Sequence, residues 1–210
     1  MTPAQQPPLD APRLLETLQR HQVEYLLVGG LSTRARGAER LTDDLDCLPA
    51  ATPQNLRRLT AALQELNARL RIDGLSDDEV AALPIDTQAV LDVAEISNWI
   101  TDAGSLDVIK SMPDAAGRPL SYADLRSRSE PLPLGQITMQ VASLEDVIAS
   151  KEWTDRPKDR DALDELRALR DASFPSPSSE NPPPTSAASP NSGTPGRPAS
   201  PQANRPDACR

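Results

Sequence analysis

The sequence is poor in the side chains that build metal clusters, disulfide frameworks and aromatic cores. Its 210 residues include one histidine, two cysteines and five aromatic residues. A lone His21 cannot form a zinc cluster, and Cys47 and Cys209 do not form a disulfide framework, because only Cys47 lies in the core region. No stretch approaches the ~18 apolar residues that span a bilayer, and no apolar segment follows a cationic start. We therefore expect a soluble, cytoplasmic protein without a membrane partner.

Proline and serine are concentrated at one end of the sequence. Residues 174–210 hold ten of the 22 prolines and seven serines, and such a composition cannot offset the entropy cost of ordering, so we expect a disordered tail there. We also expect a flexible N-terminus at residues 1–9 and one folded domain at residues 10–173.

The folded domain lacks an excess of basic charge. It carries 29 acidic and 19 basic residues, a net charge of −10. This excludes a general nucleic-acid coat protein but leaves room for a local basic groove.

The spacing of apolar residues predicts a mixed fold. Helices are expected over residues 10–22, 31–36, 76–83, 122–128 and 144–151, from residue 157 onward, and from residue 53 along a leucine stripe that reaches residue 70. Strands are expected over residues 25–28, 44–48, 95–101, 105–109 and 137–141. Because strands and helices are interspersed without strict alternation, the fold class is α+β or mixed α/β.

The stretch between the first two strands carries the first sign of chemistry. The strand that ends at Val28 is followed by Gly29-Gly30, and Ser32 lies near the start of the next helix. Glycines let the backbone approach a ligand closely, and a helix N-terminus offers free N–H groups to a phosphate. Gly-Gly turns are common, so this feature does not identify a ligand site by itself.

Two acidic residues on the next strand are a more specific sign of a ligand site. On a strand alternate residues face the same way, so Asp44 and Asp46 project side by side while Leu45 and Cys47 point into the core. Two like charges held this close repel unless a cation lies between them, and paired carboxylates suit Mg²⁺. The alternative is an edge strand with a solvated acidic face. We interpret Asp43 as a neighbour of opposite facing rather than a ligand.

A third acidic residue follows much later in the chain. Asp107 lies between Leu106 and Val108, which would face the core and leave the aspartate on the accessible face. If its strand lies beside the Asp44–Asp46 strand, three carboxylates converge and can hold two divalent ions, which suits an in-line phosphoryl displacement. Otherwise Asp107 is a solvent-facing strand residue.

These motifs together resemble a known family. The run Leu27-Val28-Gly29-Gly30-Leu31-Ser32, the spacing to Asp44-Leu45-Asp46 and the later Asp107 resemble the nucleotidyltransferase superfamily with a DNA polymerase β-like palm. Residues 141–151 (VASLEDVIASK) and 156–159 (RPKD) look like its small prokaryotic branch, related to AbiEii-type abortive-infection toxins that work with a paired antitoxin. The resemblance covers about residues 12–170 and implies a palm with a small mixed sheet flanked by helices.

The resemblance also implies site residues. It implies metal ligands for Mg²⁺, two ions in all, at Asp44, Asp46 and Asp107, with Asp107 completing the metal site or acting as a base toward the acceptor hydroxyl. It implies nucleotide-binding residues at Gly29, Gly30, Ser32, Lys151, Arg156 and Asp159, and it counts Lys151 with the three aspartates as catalytic. In that scheme Lys151 reaches the phosphates and Asp159 supports or positions it. Many relatives have Gly-Ser at this turn, so Ser32 would have to supply the missing hydroxyl.

Three functions remain open. The first is transfer of a nucleoside monophosphate from an NTP such as ATP to an acceptor hydroxyl, which in the toxin-like branch is expected to be RNA, with the 3′ end of tRNA foremost. The second is the same chemistry on a small hydroxylated molecule such as an aminoglycoside or a lincosamide, and the acidic body suits a cationic aminoglycoside. The third is a non-catalytic binding module, against which the intact set of three aspartates and Lys151 argues.

Overall fold

The computed structural model describes residues 7–173, except the side chain of Asp77. The predictions for the tail at residues 174–210 and for residues 1–6 lie outside the described residues. Residues 7–9 have no regular structure, and Leu9 packs against the core of the domain. Within the described residues, no helix combines the length and the hydropathy needed to cross a membrane.

Helices and strands are interspersed along the chain. The described helices are α1 (Ala11–Arg20), α2 (Gly29–Arg34), α3 (Pro53–Glu65), α4 (Asp77–Ala81), α5 (Thr87–Val93), α6 (Tyr122–Arg126), α7 (Leu144–Thr154) and α8 (Pro157–Ser173). The described strands are β1 (Tyr25–Val28), β2 (Asp44–Pro49), β3 (Arg69–Arg71), β4 (Ile96–Thr101), β5 (Gly104–Ile109), β6 (Ser111–Pro113), β7 (Pro119–Ser121), β8 (Glu130–Leu134) and β9 (Ile137–Val141).

Seven of these strands form one mixed sheet in the order β3-β4-β5-β2-β1-β9-β8. The β2–β5 and β1–β9 pairs are parallel, and the other neighbouring pairs are antiparallel. Strands β6 and β7 form a separate antiparallel pair. This architecture confirms the mixed α/β class.

The two faces of the sheet are covered by different helices. On the first face, buried side chains of the central strands, Leu27, Leu45 and Leu106 among them, form one core with α1, α3 and α5. On the second face, Leu26, Val28 and Leu48 form another core with α6, α7 and α8. Because strand side chains alternate, the three aspartates point to the second face, beside its helical layer.

The helix starts follow the capping residues that the sequence offers. Asp10 caps α1 by accepting from the backbone N–H of Arg13, and Ser76 with Glu79 forms a capping box at α4. Ser143 caps α7 by accepting from the N–H of Asp146. A helix-start side chain of this kind contributes about 1 kcal/mol. The predicted starts of these three helices are confirmed.

Several predicted helix boundaries were off by a few residues, and two of these errors bear on the site. Helix α3 ends at Glu65 because Asn67 adopts a left-handed conformation (φ 49°), which reverses the chain. Leu70, the last leucine of the predicted stripe, therefore lies on strand β3. Helix α2 begins at Gly29, not at Leu31, because Gly29 (φ 60°) leads directly from the strand into the helix.

Candidate active site

A cavity of about 650 Å³ opens on the second face of the sheet. Its wall is built from segments that lie far apart in the chain. The lining residues used below are Gly29, Gly30, Thr33, Thr42, Asp44, Asp46, Arg71, Ile96, Asn98, Asp107, Lys151, Arg156 and Lys158. Carboxylates and cations thus face the same space, which is the arrangement expected of a site for anionic substrates and a metal.

The three aspartates meet as the sequence predicts. Strand β2 pairs in parallel with β5, and the register places Asp46 directly opposite Asp107 and Asp44 opposite Ser105. One carboxylate oxygen from each of Asp44, Asp46 and Asp107 lies within 4.8 Å of the other two. This convergence requires β2 and β5 to be neighbours in the sheet, and the structure confirms that they are.

Crowding changes the acidity of this cluster. Burial, together with the charges of Asp44 and Asp107, raises the pKa of Asp46 to about 7, although a hydrogen bond from the Gly30 N–H and the charge of Lys158 act in the opposite direction. Burial and Asp44 also raise the pKa of Asp107. Three acidic groups held in this way favour a bound cation.

The donor set fits a divalent metal ion. Three carboxylates supply only hard oxygen ligands, which is the chemistry that Mg²⁺ and similar ions prefer. Asp44, Asp46 and Asp107 would hold the ion or ions between them.

The glycine turn holds Asp46 in place. Gly29 has a left-handed backbone (φ 60°), and a Cβ at this position would overlap the Oδ2 atom of Asp46. The next residue, Gly30, donates its N–H to the Asp46 carboxylate, and a Cβ there would overlap the Oγ1 atom of Thr42. Glycine is therefore required at both positions by the close approach of side chains that serve the site.

Replacing Gly29 by alanine tests this packing. We expect Gly29→Ala to lower the free energy of unfolding by about 2–4 kcal/mol, because backbone strain and overlap with Asp46 act together. Gly135→Ala is the matched control, since Gly135 has a similar φ of 64° and a methyl group added there would meet nothing within 4 Å; it should show only the strain, about 1 kcal/mol. Urea unfolding and calorimetric titration with Mg²⁺ measure both variants. Equal losses in the two would contradict the steric role of Gly29.

A cationic group faces the aspartates from the α7–α8 side. Lys151, Arg156 and Lys158 line the cavity, and the first two are fixed from behind by Asp159. Asp159 is fully buried and accepts hydrogen bonds from Lys151 Nζ (3.0 Å), Arg156 Nε (2.6 Å) and Thr154 Oγ1 (3.0 Å). Burial alone would raise the pKa of Asp159, but these bonds outweigh it and lower the pKa to about 2. Asp159 therefore remains ionised and positions the two cations.

Over residues 13–179 the chain matches the family described as nucleotidyl transferase AbiEii toxin of type IV toxin–antitoxin systems. The chain belongs to the AbiEii family. It is thus a nucleotidyltransferase, and the resemblance stated from the sequence is confirmed.

A solved structure, that of LnuA, agrees with this assignment at the level of the fold. The lincosamide antibiotic adenylyltransferase LnuA has a TM-score of 0.53 and 13% sequence identity over 77% of this chain and 99% of its own. The antibiotic-resistance factor ANT(2'')-Ia has a TM-score of 0.49 and 14% identity over 77% of this chain and 80% of its own. The likeness to LnuA shows the nucleotidyltransferase fold. Comparison with curated proteins finds no match in sequence.

Most of the site residues implied by the family resemblance line the cavity on the second face of the sheet, and two lie behind its wall. The lining includes Asp44, Asp46, Asp107, Gly29, Gly30, Lys151 and Arg156. Asp159 lies behind the wall, where it positions Lys151 as the resemblance implies. Ser32 is fully buried, and its hydroxyl donates to the Gly29 carbonyl (2.7 Å) rather than facing the cavity. The start of α2 at Gly29 accounts for this, because it turns Ser32 inward and Thr33 toward the cavity.

Sequence reasoning missed several residues that line the cavity, among them Thr42, Arg71 and Asn98. Thr42 donates a hydrogen bond from Oγ1 to Asp44 Oδ1 (2.7 Å) and so orients one of the carboxylates; a hydroxyl two residues before an acidic strand residue is the signal that could have found it. Arg71 and Asn98 line the opposite side of the cavity. Nothing in the local sequence marks them, because their position depends on the pairing of β3, β4 and β5.

Proposed function

We propose that this AbiEii-family enzyme transfers a nucleoside monophosphate from an NTP, ATP foremost, to a hydroxyl of RNA, with the 3′ end of tRNA as the best candidate. One observation carries the proposal: three converging carboxylates and a lysine held by a buried aspartate face a single cavity beside a glycine turn. Membership of a toxin family supports a toxic role and an antitoxin partner. Both substrates belong to the cytoplasm, where we place the enzyme.

The side chains divide the work of the transfer. Mg²⁺ held by Asp44, Asp46 and Asp107, two ions in the full site, would neutralise the negative charge of the reacting phosphates. Lys151, with Arg156, binds phosphate oxygens of the NTP as a compact point charge and a planar donor.

The bond changes follow from that arrangement. The acceptor oxygen forms a bond to the α-phosphorus, and the bond from that phosphorus to the β-bridging oxygen breaks, so that pyrophosphate leaves. Asp107, the third carboxylate of the cluster, accepts the proton of the acceptor hydroxyl.

A small hydroxylated acceptor is the second candidate. Two observations favour it: the folded part carries a net charge of −10, which would attract a cationic aminoglycoside, and the fold is that of LnuA, a lincosamide adenylyltransferase. The bond changes would be the same, with a drug hydroxyl in place of the RNA hydroxyl.

Transfer of label to RNA tests the proposed function. The purified protein is incubated with Mg²⁺, total tRNA and each α-³²P-labelled NTP in turn, and parallel reactions replace tRNA by an aminoglycoside or a lincosamide. We expect label on tRNA and release of pyrophosphate, with no product when EDTA removes the metal. Label on a drug alone would overturn the RNA proposal in favour of the second candidate.

Expression in a bacterial host provides the matching cellular test. Growth arrest that an adjacent antitoxin gene relieves would support the toxin role. Protection against an aminoglycoside or a lincosamide, without growth arrest, would contradict it.

A further inference from the structure

A row of side chains crosses four neighbouring strands on the second face of the sheet. The registers align Asp46 with Asp107, Asp107 with Asn98, and Asn98 with Arg71. Directly paired residues face the same side of a sheet, so all four side chains stand on the face that carries the cavity. All four also line the cavity. The row therefore begins at the metal-binding carboxylates and ends at an arginine.

The cavity has cations on two opposite sides of the aspartates. Lys151 lies on α7 and Arg156 lies between α7 and α8, the helices that pack against Leu26 and Val28 of β1. Arg71 lies on strand β3, two strands beyond Asp107 in the other direction, or about 10 Å away at the usual strand spacing. The two cationic sides are thus separated by the reacting centre.

The β3–β4 side of the cavity has few internal partners, although the charge of Arg71 acts on Asp107 and works to lower the pKa of that carboxyl. Within residues 7–173 the exposed guanidinium groups of Arg71 and its neighbour on the same face, Arg69, form no ion pair, and the side-chain amide of Asn98 makes no hydrogen bond. In contrast, Lys151 and Arg156 are both bonded to Asp159. On the same side Ile96 lines the cavity with 64% of its surface exposed. These groups offer a phosphate-binding cation, an amide and an apolar surface to an incoming molecule.

In-line displacement determines which side of the cavity binds the NTP and which binds the acceptor. This step rests on the proposed nucleotidyl transfer. The attacking hydroxyl and the leaving pyrophosphate must lie on opposite sides of the α-phosphorus. A triphosphate bound by Lys151 and Arg156 directs its pyrophosphate toward the helical side. The acceptor then enters from the β3–β4 side.

We propose that Arg71, with Asn98, binds the acceptor, and that Arg71 selects an acceptor carrying a phosphate beside the reacting hydroxyl. A guanidinium forms paired hydrogen bonds with phosphate oxygens. The same group repels a cationic molecule such as an aminoglycoside. Although the domain as a whole is acidic, the acceptor side of the cavity is therefore suited to a nucleic-acid end.

Charge reversal at Arg71 separates this role from binding of the NTP. We expect Arg71→Glu to raise the KM for tRNA at least tenfold and to change the KM for the NTP less than twofold. Binding of a fluorescent tRNA acceptor-stem RNA, followed by anisotropy at several salt concentrations, should weaken to a similar degree and lose about one unit of salt slope. Arg71→Lys should recover part of both losses, because it restores the charge but not the paired geometry.

Arg57→Glu is the matched control. Arg57 lies exposed on α3, the helix that packs on the first face of the sheet, and has no ion pair within the described residues. The same charge change there should leave both KM values and RNA binding as in the wild type.

The outcomes distinguish this inference from the proposed function. If the wild type labels no RNA, the proposed function fails, and the anisotropy comparison still tests Arg71. Equal RNA binding by the wild type and Arg71→Glu, or a rise in the KM for the NTP instead of tRNA, would overturn the acceptor role of Arg71.

Discussion

Asp46→Asn is expected to abolish nucleotidyl transfer and at the same time to stabilise the metal-free protein. The carboxylate is one of three whose oxygens lie within 4.8 Å of one another, so its loss removes one of the three proposed metal ligands. Activity should fall at least about 100-fold. Stability should rise because asparagine keeps an acceptor for the Gly30 N–H but carries no charge to repel Asp44 and Asp107.

The stabilisation by Asp46→Asn should depend on pH in a defined direction. The pKa of Asp46 is raised to about 7 in the folded protein, so between pH ~4 and ~7 the folded state binds more protons than the unfolded state. The stability of the wild type therefore falls as pH rises through this window. The variant lacks this titration, so its advantage should reach on the order of 2–4 kcal/mol above pH 7.

Urea unfolding at pH 5 and pH 8, with EDTA and with Mg²⁺, measures this effect. Mg²⁺ should stabilise the wild type at pH 8 and leave Asp46→Asn nearly unchanged. Asp161→Asn is the control, because Asp161 is exposed on α8 and belongs neither to the cavity lining nor to the three-carboxylate cluster; it should retain activity and show no such pH dependence. A variant that is less stable than the wild type at pH 8 without metal would contradict the electrostatic account.

Asp159→Asn is expected to have the second-largest effect, and on stability it acts in the opposite direction. The Asp159 carboxylate is fully buried against Lys151 and Arg156, which are 19% and 57% exposed at their side chains. Removing its charge leaves two cations without their anion, and we expect a loss of about 2–3 kcal/mol at pH 7. Because both cations also face the cavity, the KM for the NTP should rise severalfold or more.

The acid dependence of stability provides an independent check. The folded-state pKa of Asp159 is lowered to about 2, so its contribution is complete above the unfolded pKa of ~4 and is lost as pH falls toward 2. The difference between wild type and Asp159→Asn should shrink over that window. Asp155→Asn is the control, because Asp155 pairs with Arg160 in solvent and has a left-handed backbone that asparagine tolerates. Equal losses in both variants would contradict a special role for the buried carboxylate.

Much of the site could be predicted because its residues stand on strands whose alternation is visible in the sequence. Leu45 and Cys47 are buried on the first face, and this fixes Asp44 and Asp46 on the second. In the same way, the buried side chains of Leu106 and Val108 fix Asp107 on the second face. The pairing of β2 with β5 could be stated only as a condition, because strand order follows from the packing of the whole sheet.

The elements that were not predicted from the sequence are short, or contain residues that are unusual in such an element. Strand β3 has three residues, Arg69–Arg71, with charged residues at both ends. Strand β8, Glu130–Leu134, contains two prolines, which a central strand does not tolerate; it is found at the edge of the sheet, where a missing N–H costs little. Helix α5 and the β6–β7 pair were also missed. Arg71 could not be found without β3, and the inward facing of Ser32 could not be foreseen without the early start of α2.

The distribution of the site along the chain has a consequence for the timing of its synthesis. A nascent chain that has reached β2 carries Asp44 and Asp46, but Asp107 follows some sixty residues later on β5, and Lys151 only on α7. A ribosome that stalls between these points holds a fragment with two of the three clustered carboxylates and without Lys151. We therefore expect the proposed activity only from chains translated through α8, which carry all three aspartates, Lys151 and Asp159.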